Sequence, residues 1–148
     1  MLDPEKVKAY LRDRKELNYL LNGKEQFDDD EIAMFDADVR EEIVLTIPSL
    51  IARKDKMPDL IVLHGVIAKL MESVAQQENR NQMTLGDDNV GQIDFSNKSD
   101  KYFSIAQQYH NKMLMLAQNM AASSFYQDAW GEVSMGSSDY EFYIGGSE

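Results

Sequence analysis

Apolar residues recur along this chain at three- and four-residue intervals in four separate blocks, a pattern that predicts four helices. The first block is Val7, Tyr10 and Leu11, continued by Leu17, Leu20 and Leu21. Asp3 stands where a cap belongs, Pro4 suits the first helical position, and Gly23 closes the stripe. The second block has the clearest start. Asp28 and Glu31 sit at capping-box spacing, Phe27 and Ile32 at staple spacing, and Ile32, Phe35, Val39, Ile43 and Ile47 follow at helical intervals up to Pro48.

After a polar connector, 52–57, Pro58 marks a third start. From Leu60 the chain is apolar nearly all round, with Leu60, Leu63, Ile67, Leu70 and Val74 as the main stripe, so this helix is predicted to be central. Gly65 within it permits close approach by another helix. Residues 83–97 carry Gly86, Asp87, Asp88, Asn89 and Gly91 and read as a long loop, within which 92–95 fits a short strand. The fourth block, Tyr102, Ala106, Tyr109, Met113, Leu116 and Met120, keeps a three-four repeat to about Ala122, a helix of about 36 Å. That stripe suits a core face or a partner-facing seam, and core is the default.

The pattern then changes. From Ser123 to Glu148 there is no Lys or Arg, five acids, frequent Gly and Ser, and six aromatics. A disordered tail is poor in aromatics, so this composition points to an arm that docks on a partner, the alternative being one that folds back on its own helices. Tyr140, Phe142 and Ile144 alternate with Glu141 and Tyr143, as in a short strand added to a partner sheet. The expected architecture is therefore all-α: a four-helix bundle-like domain over 1–122, with a loop at 83–97, and an extended C-terminal arm over 123–148. Aromatic side chains dominate interface energetics, so Phe125, Tyr126, Trp130, Tyr140, Phe142, Tyr143 and Ile144 are the candidate partner-binding residues.

Composition removes several classes of function. The net charge of −11 repels phosphate at long range, which argues against nucleic-acid or anionic-membrane binding. The early bases Lys6, Lys8, Arg12, Arg14 and Lys15 are interleaved with Asp13 and Glu16 and read as a solvated helix face. There is no cysteine, so disulfide and thiolate chemistry are excluded. The opening MLDPEKVK lacks the apolar core of a secretory leader, and the apolar run 60–74 is too short to span a bilayer.

Candidate chemistry is sparse. His64 and His110 each sit on a helix beside apolar positions and read as satisfied core or boundary histidines. Neither a nucleophile-elbow nor a zinc-helix motif is present. Asp87 to Gly91 fails the calcium-loop pattern, because its fifth position is Gly91 and its twelfth is Lys98. The acids at 28–31 complement the dipole of the second helix. No enzyme activity, metal or cofactor is expected.

One resemblance adds to this reading. The stretch Leu11 to Ile32, LRDRKELNYLLNGKEQFDDDEI, resembles the opening of the head-to-tail adaptor (connector or neck) proteins of tailed bacteriophages. There a short helix ending in a Glu-Leu-Asn-x-Leu-Leu type segment precedes a turn, an aromatic, an acidic cap and a long helix stopped by proline, as at Pro48 here. The resemblance covers about the first third of the chain. It implies a structural virion protein that forms a ring below the portal, with twelve copies, and links capsid to tail. Implied partners are the portal protein and other neck or tail proteins, with DNA passing through unbound. The implied location is the virion neck, and the host cytoplasm during assembly. The rival expectation is a small acidic intracellular regulator or inhibitor that binds another protein.

Overall fold

The computed structural model describes residues 1–13, 24–85 and 96–138, of which 81–85, 96–97 and 124–138 are described as backbone. Helix α1 spans Pro4–Leu11, α2 Asp29–Thr46, α3 Asp59–Leu85 and α4 Ser96–Ser138, with a 3-10 helix over Pro48–Lys56 between α2 and α3. The fold is all-α, and among the described residues there is no strand.

Helix α1 starts as its sequence predicts. The Asp3 carboxylate accepts the Glu5 N–H at 3.1 Å, and Pro4 takes the first position. It ends earlier than its apolar stripe suggests. Arg12 adopts a left-handed conformation, φ 57°, its N–H donating to the Ala9 carbonyl while Asp13 N–H donates to Lys8. That is a Schellman closure with arginine where glycine is usual. The continuation through Leu17, Leu20 and Leu21 to Gly23 lies outside the described residues.

Asp28 begins α2 from an extended conformation, as expected, but its side chain makes no cap hydrogen bond, so the capping box does not form. The staple positions do meet the core: Phe27 and Ile32 are both buried in one apolar cluster. Pro48 ends α2 and opens the 3-10 helix, which takes in most of the polar connector expected at 52–57. Its Leu50, with Met57 just beyond, returns to the core.

Helix α3 is the central element. Ile61, Val62, Val66, Ile67, Leu70 and Val74 are all buried. Leu60, assigned to the stripe by periodicity, is instead 55% exposed, because the buried face begins one position later, at Ile61. Gly65 explains how tightly the bundle closes. A Cβ there would press on Val39 of α2 and lie 2.6 Å from the Met113 Sδ of α4, so two helices converge on one missing side chain.

Pairings along the bundle give its directions. Gly65 meets Val39, and Lys69 pairs with Glu42, so α2 and α3 run parallel with the 3-10 helix as crossover. Gly65 also meets Met113, while His110 faces Glu42 next to Lys69, so α4 runs antiparallel to both. Asp59, six residues before Gly65, is then level with Asn119, six beyond Met113. Helix α4 does not stop near Ala122. It continues to Ser138, so residues 123–138 are helical where an extended arm was expected. A helix adds about 1.5 Å per residue, so α4 passes the start of α3 by about 28 Å. Residues 86–95, the heart of the expected 83–97 loop, lie outside the described residues, and helix occupies 83–85 and 96–97.

Candidate functional site

The candidate partner-binding residues divide at the end of α4. Phe125, Tyr126 and Trp130 belong to its helical backbone, not to an extended arm. The aromatics that make the reading look extended also fit a helix, and no Pro interrupts 123–138. Tyr140, Phe142, Tyr143 and Ile144, with the strand pattern they carry, lie outside the described residues, as does the loop sequence 87–91.

Two polar devices lock α1 onto α2, and neither is visible in the periodicity. Lys8 is only 5% exposed, which corrects its place on a solvated basic face. Its ammonium lies 2.5 Å from Asp29, 2.7 Å from Glu25 and 3.8 Å from Glu5. The hydrogen bonds to Asp29 and Glu25 raise its pKa well above the ordinary lysine value, against the opposing effect of burial. Asp13, also buried, accepts the backbone N–H of Gln26 (2.9 Å) and of Phe27 (3.0 Å). These bonds hold the chain entering α2, and the left-handed turn at Arg12 brings Asp13 to them.

Acidic and basic side chains from three helices converge at a cleft of about 260 Å³ beside Glu42 of α2, Lys69 of α3 and His110 of α4. Lys69 lies 2.9 Å from Glu42 Oε2, and His110 Nδ1 lies 3.5 Å from Oε1. The bond to Glu42 raises the Lys69 pKa, so its amine stays protonated and is a poor nucleophile. Glu72, Phe103, Ala106 and Gln107 complete the lining with Ala68, which includes no Ser, Thr or Cys for the Glu42–His110 pair to activate. The cluster is a bridge among helices.

A wider cleft, about 480 Å³, is lined by Met1, Asp36, Asp38, Arg40, Glu41, Lys54 and Asp55. Its floor is a buried pair one helical turn apart, Arg40 Nε donating to both Asp36 oxygens at 3.2 Å. Arg40 Nη1 also donates to the Lys54 carbonyl at 3.0 Å, and the Lys54 ammonium pairs with Glu41. Together these bonds strap the 3-10 helix along α2.

His64 is a satisfied boundary residue. Its Nδ1 donates to the Leu60 carbonyl at 2.8 Å, and its ring packs edge-on against Tyr109, centroids 5.6 Å apart. Tyr109 meets Tyr10 edge-on at 6.3 Å, with the Lys112 ammonium 5.5 Å from its centroid. The hydrogen bond with Tyr10, then burial, raises the Tyr109 pKa.

Among the described residues no group of three or more His, Asp or Glu is placed to hold a metal ion, and no helix is long and apolar enough to cross a membrane. Comparison with protein-family models, with curated proteins and with solved structures gives no match.

Proposed function

We propose that this chain is an assembly component: a structural virion protein that joins head to tail below a portal, as the Leu11–Ile32 resemblance implies. The observation that carries the reading is the asymmetry of α4. Its first half packs on α3, and its second half continues about 28 Å beyond, toward an aromatic, acidic terminus. A projecting helix of this kind suits insertion between neighbouring subunits. In this reading the α4 extension and residues 139–148 engage the portal or another neck protein, copies self-associate in a ring, and DNA passes without binding an acidic surface.

Quantitative mass spectrometry on purified particles of the source virus tests the proposal. A copy number equal to that of the portal supports a place in the neck. Absence from the particles overturns it and leaves the intracellular regulator as the working reading.

A further inference from the structure

We propose that the outer faces of α2 and α4 are the two halves of one contact between copies of this chain, with α4 of a second copy lying parallel along α2 of the first. The contact does not rest on the assembly reading above.

Charge is segregated between these two helices. Helix α2 carries seven acids and one base, Arg40, which is buried against Asp36. Helix α4 carries no acid from Lys101 to Gln127, on a chain of net charge −11. Positions on one face of a helix recur at three- and four-residue steps. On the outer face of α2 they are Asp30, Met34, Ala37, Glu41 and Leu45, all exposed. On that of α4 they are Lys101, Ile105, Gln108, Lys112 and Met115, also all exposed. Among the described residues neither Lys101 nor Lys112 pairs with an acid, and the Lys112 ammonium has only the Tyr109 ring. Each stripe also holds two large apolar side chains open to solvent: Met34 at 53% and Leu45 at 76%, Ile105 at 36% and Met115 at 53%.

The stripes match in register. Laid parallel, Asp30 meets Lys101, Met34 meets Ile105, Ala37 meets Gln108, Glu41 meets Lys112 and Leu45 meets Met115. The apolar pairs stand eleven residues apart on α2 and ten on α4, about 16 and about 15 Å. Laid antiparallel, Lys101 falls beside Ser49, past the end of α2, and Asp30 loses its base. The middle of the α2 stripe is also concave. Asp38, Glu41 and Asp55 line the cleft of about 480 Å³, where Arg40 and Lys54 are already paired with Asp36 and Glu41. The long side chain of Lys112 from a second copy enters an acidic recess there.

Geometry requires the second copy. Val39 and Met113, on the opposite sides of α2 and α4, converge on Gly65, so within one copy both stripes look outward and cannot meet. Helices α2 and α4 run antiparallel inside one copy, so a parallel contact turns the second copy end over end. Neighbours around a ring keep the same way up. This pairing is therefore a contact of the free protein, separate from any ring.

Sedimentation equilibrium of the full-length chain, over a range of concentration and salt, tests it. Concentration-dependent association is expected, weaker at high salt. Lys101→Glu/Lys112→Glu is expected to weaken it at least about ten-fold, as is Asp30→Lys/Asp38→Lys. Mixed together, those two variants are expected to associate again, because each retains the stripe that the other lacks. Helix content by circular dichroism is the folding control, and Lys101→Ser/Lys112→Ser serves should the glutamates disturb α4. A monomer at every concentration, or association that survives both pairs of substitutions, overturns the proposal. Mixed variants that stay monomeric overturn it as well. Absence from particles bears on the assembly reading alone.

Discussion

Gly65 on α3 lies so close to Met113 on α4 that a Cβ on the glycine would stand 2.6 Å from the methionine sulfur, with Val39 of α2 pressing from the other side. Met113 is able to swing, but Val39 is branched at Cβ and has little rotamer freedom. Gly65→Ala is therefore expected to destabilise the fold by about 1–3 kcal/mol, despite the better helix propensity of alanine. Urea denaturation of the two proteins measures it. An unchanged midpoint would show that the three helices separate easily.

Arg12 closes α1 in the left-handed region, where a Cβ costs about 1 kcal/mol. Its side chain is exposed. Arg12→Gly is expected to raise stability by up to about 1 kcal/mol, less the greater backbone freedom glycine gives the unfolded chain. Arg12→Val is expected to lower it. Thermal melts of the pair give the sign directly.

Lys8, Lys69 and Tyr109 share a direction: each holds its proton more tightly in the fold than in the open chain. Their stabilising contribution is fully present below the ordinary values of about 10, and it is lost as pH rises from there toward the folded pKa values. The melting temperature is expected to fall above about pH 10. Lys8→Met, which removes the bonds to Asp29 and Glu25, is expected to flatten that decline while lowering stability at neutral pH. Melts from pH 7 to 11.5 on both proteins separate the two effects.

The buried Asp36–Arg40 pair is expected to be costly to break from one side. Asp36→Ala leaves Arg40 enclosed with only the Lys54 carbonyl to accept from it, a loss of about 3–5 kcal/mol. Replacing both with apolar residues of similar volume is expected to recover most of that loss. A double-mutant cycle by denaturant unfolding checks it, and additive losses would mean the pair does not couple.

Truncation distinguishes the two parts of the C-terminal region. Removing 139–148 is expected to leave helix content unchanged, whereas removing 123–148 takes away sixteen helical residues and lowers it measurably by circular dichroism. Both truncations are expected to abolish incorporation into particles under the assembly reading. Normal incorporation of either chain would move the partner contact elsewhere.

Periodicity and local chemistry alone determine that this chain is all-α, where α1 and α2 begin, that Pro48 ends α2, and that α3 is central. Those features depend on neighbours in sequence: a cap, a fixed proline φ, and apolar positions at 3.6-residue spacing. They do not reveal why Lys8 is buried, since its partners Glu25 and Asp29 come from beyond a turn. Nor do they place the Asp13 bonds to Gln26 and Phe27, or Glu42 between Lys69 and His110. The length of α4 is misread for a related reason, because composition after Ser123 argues for an arm while nothing in it forbids helix. Only the tertiary structure decides which helix faces meet, because packing direction and register are set by contacts far apart in the chain.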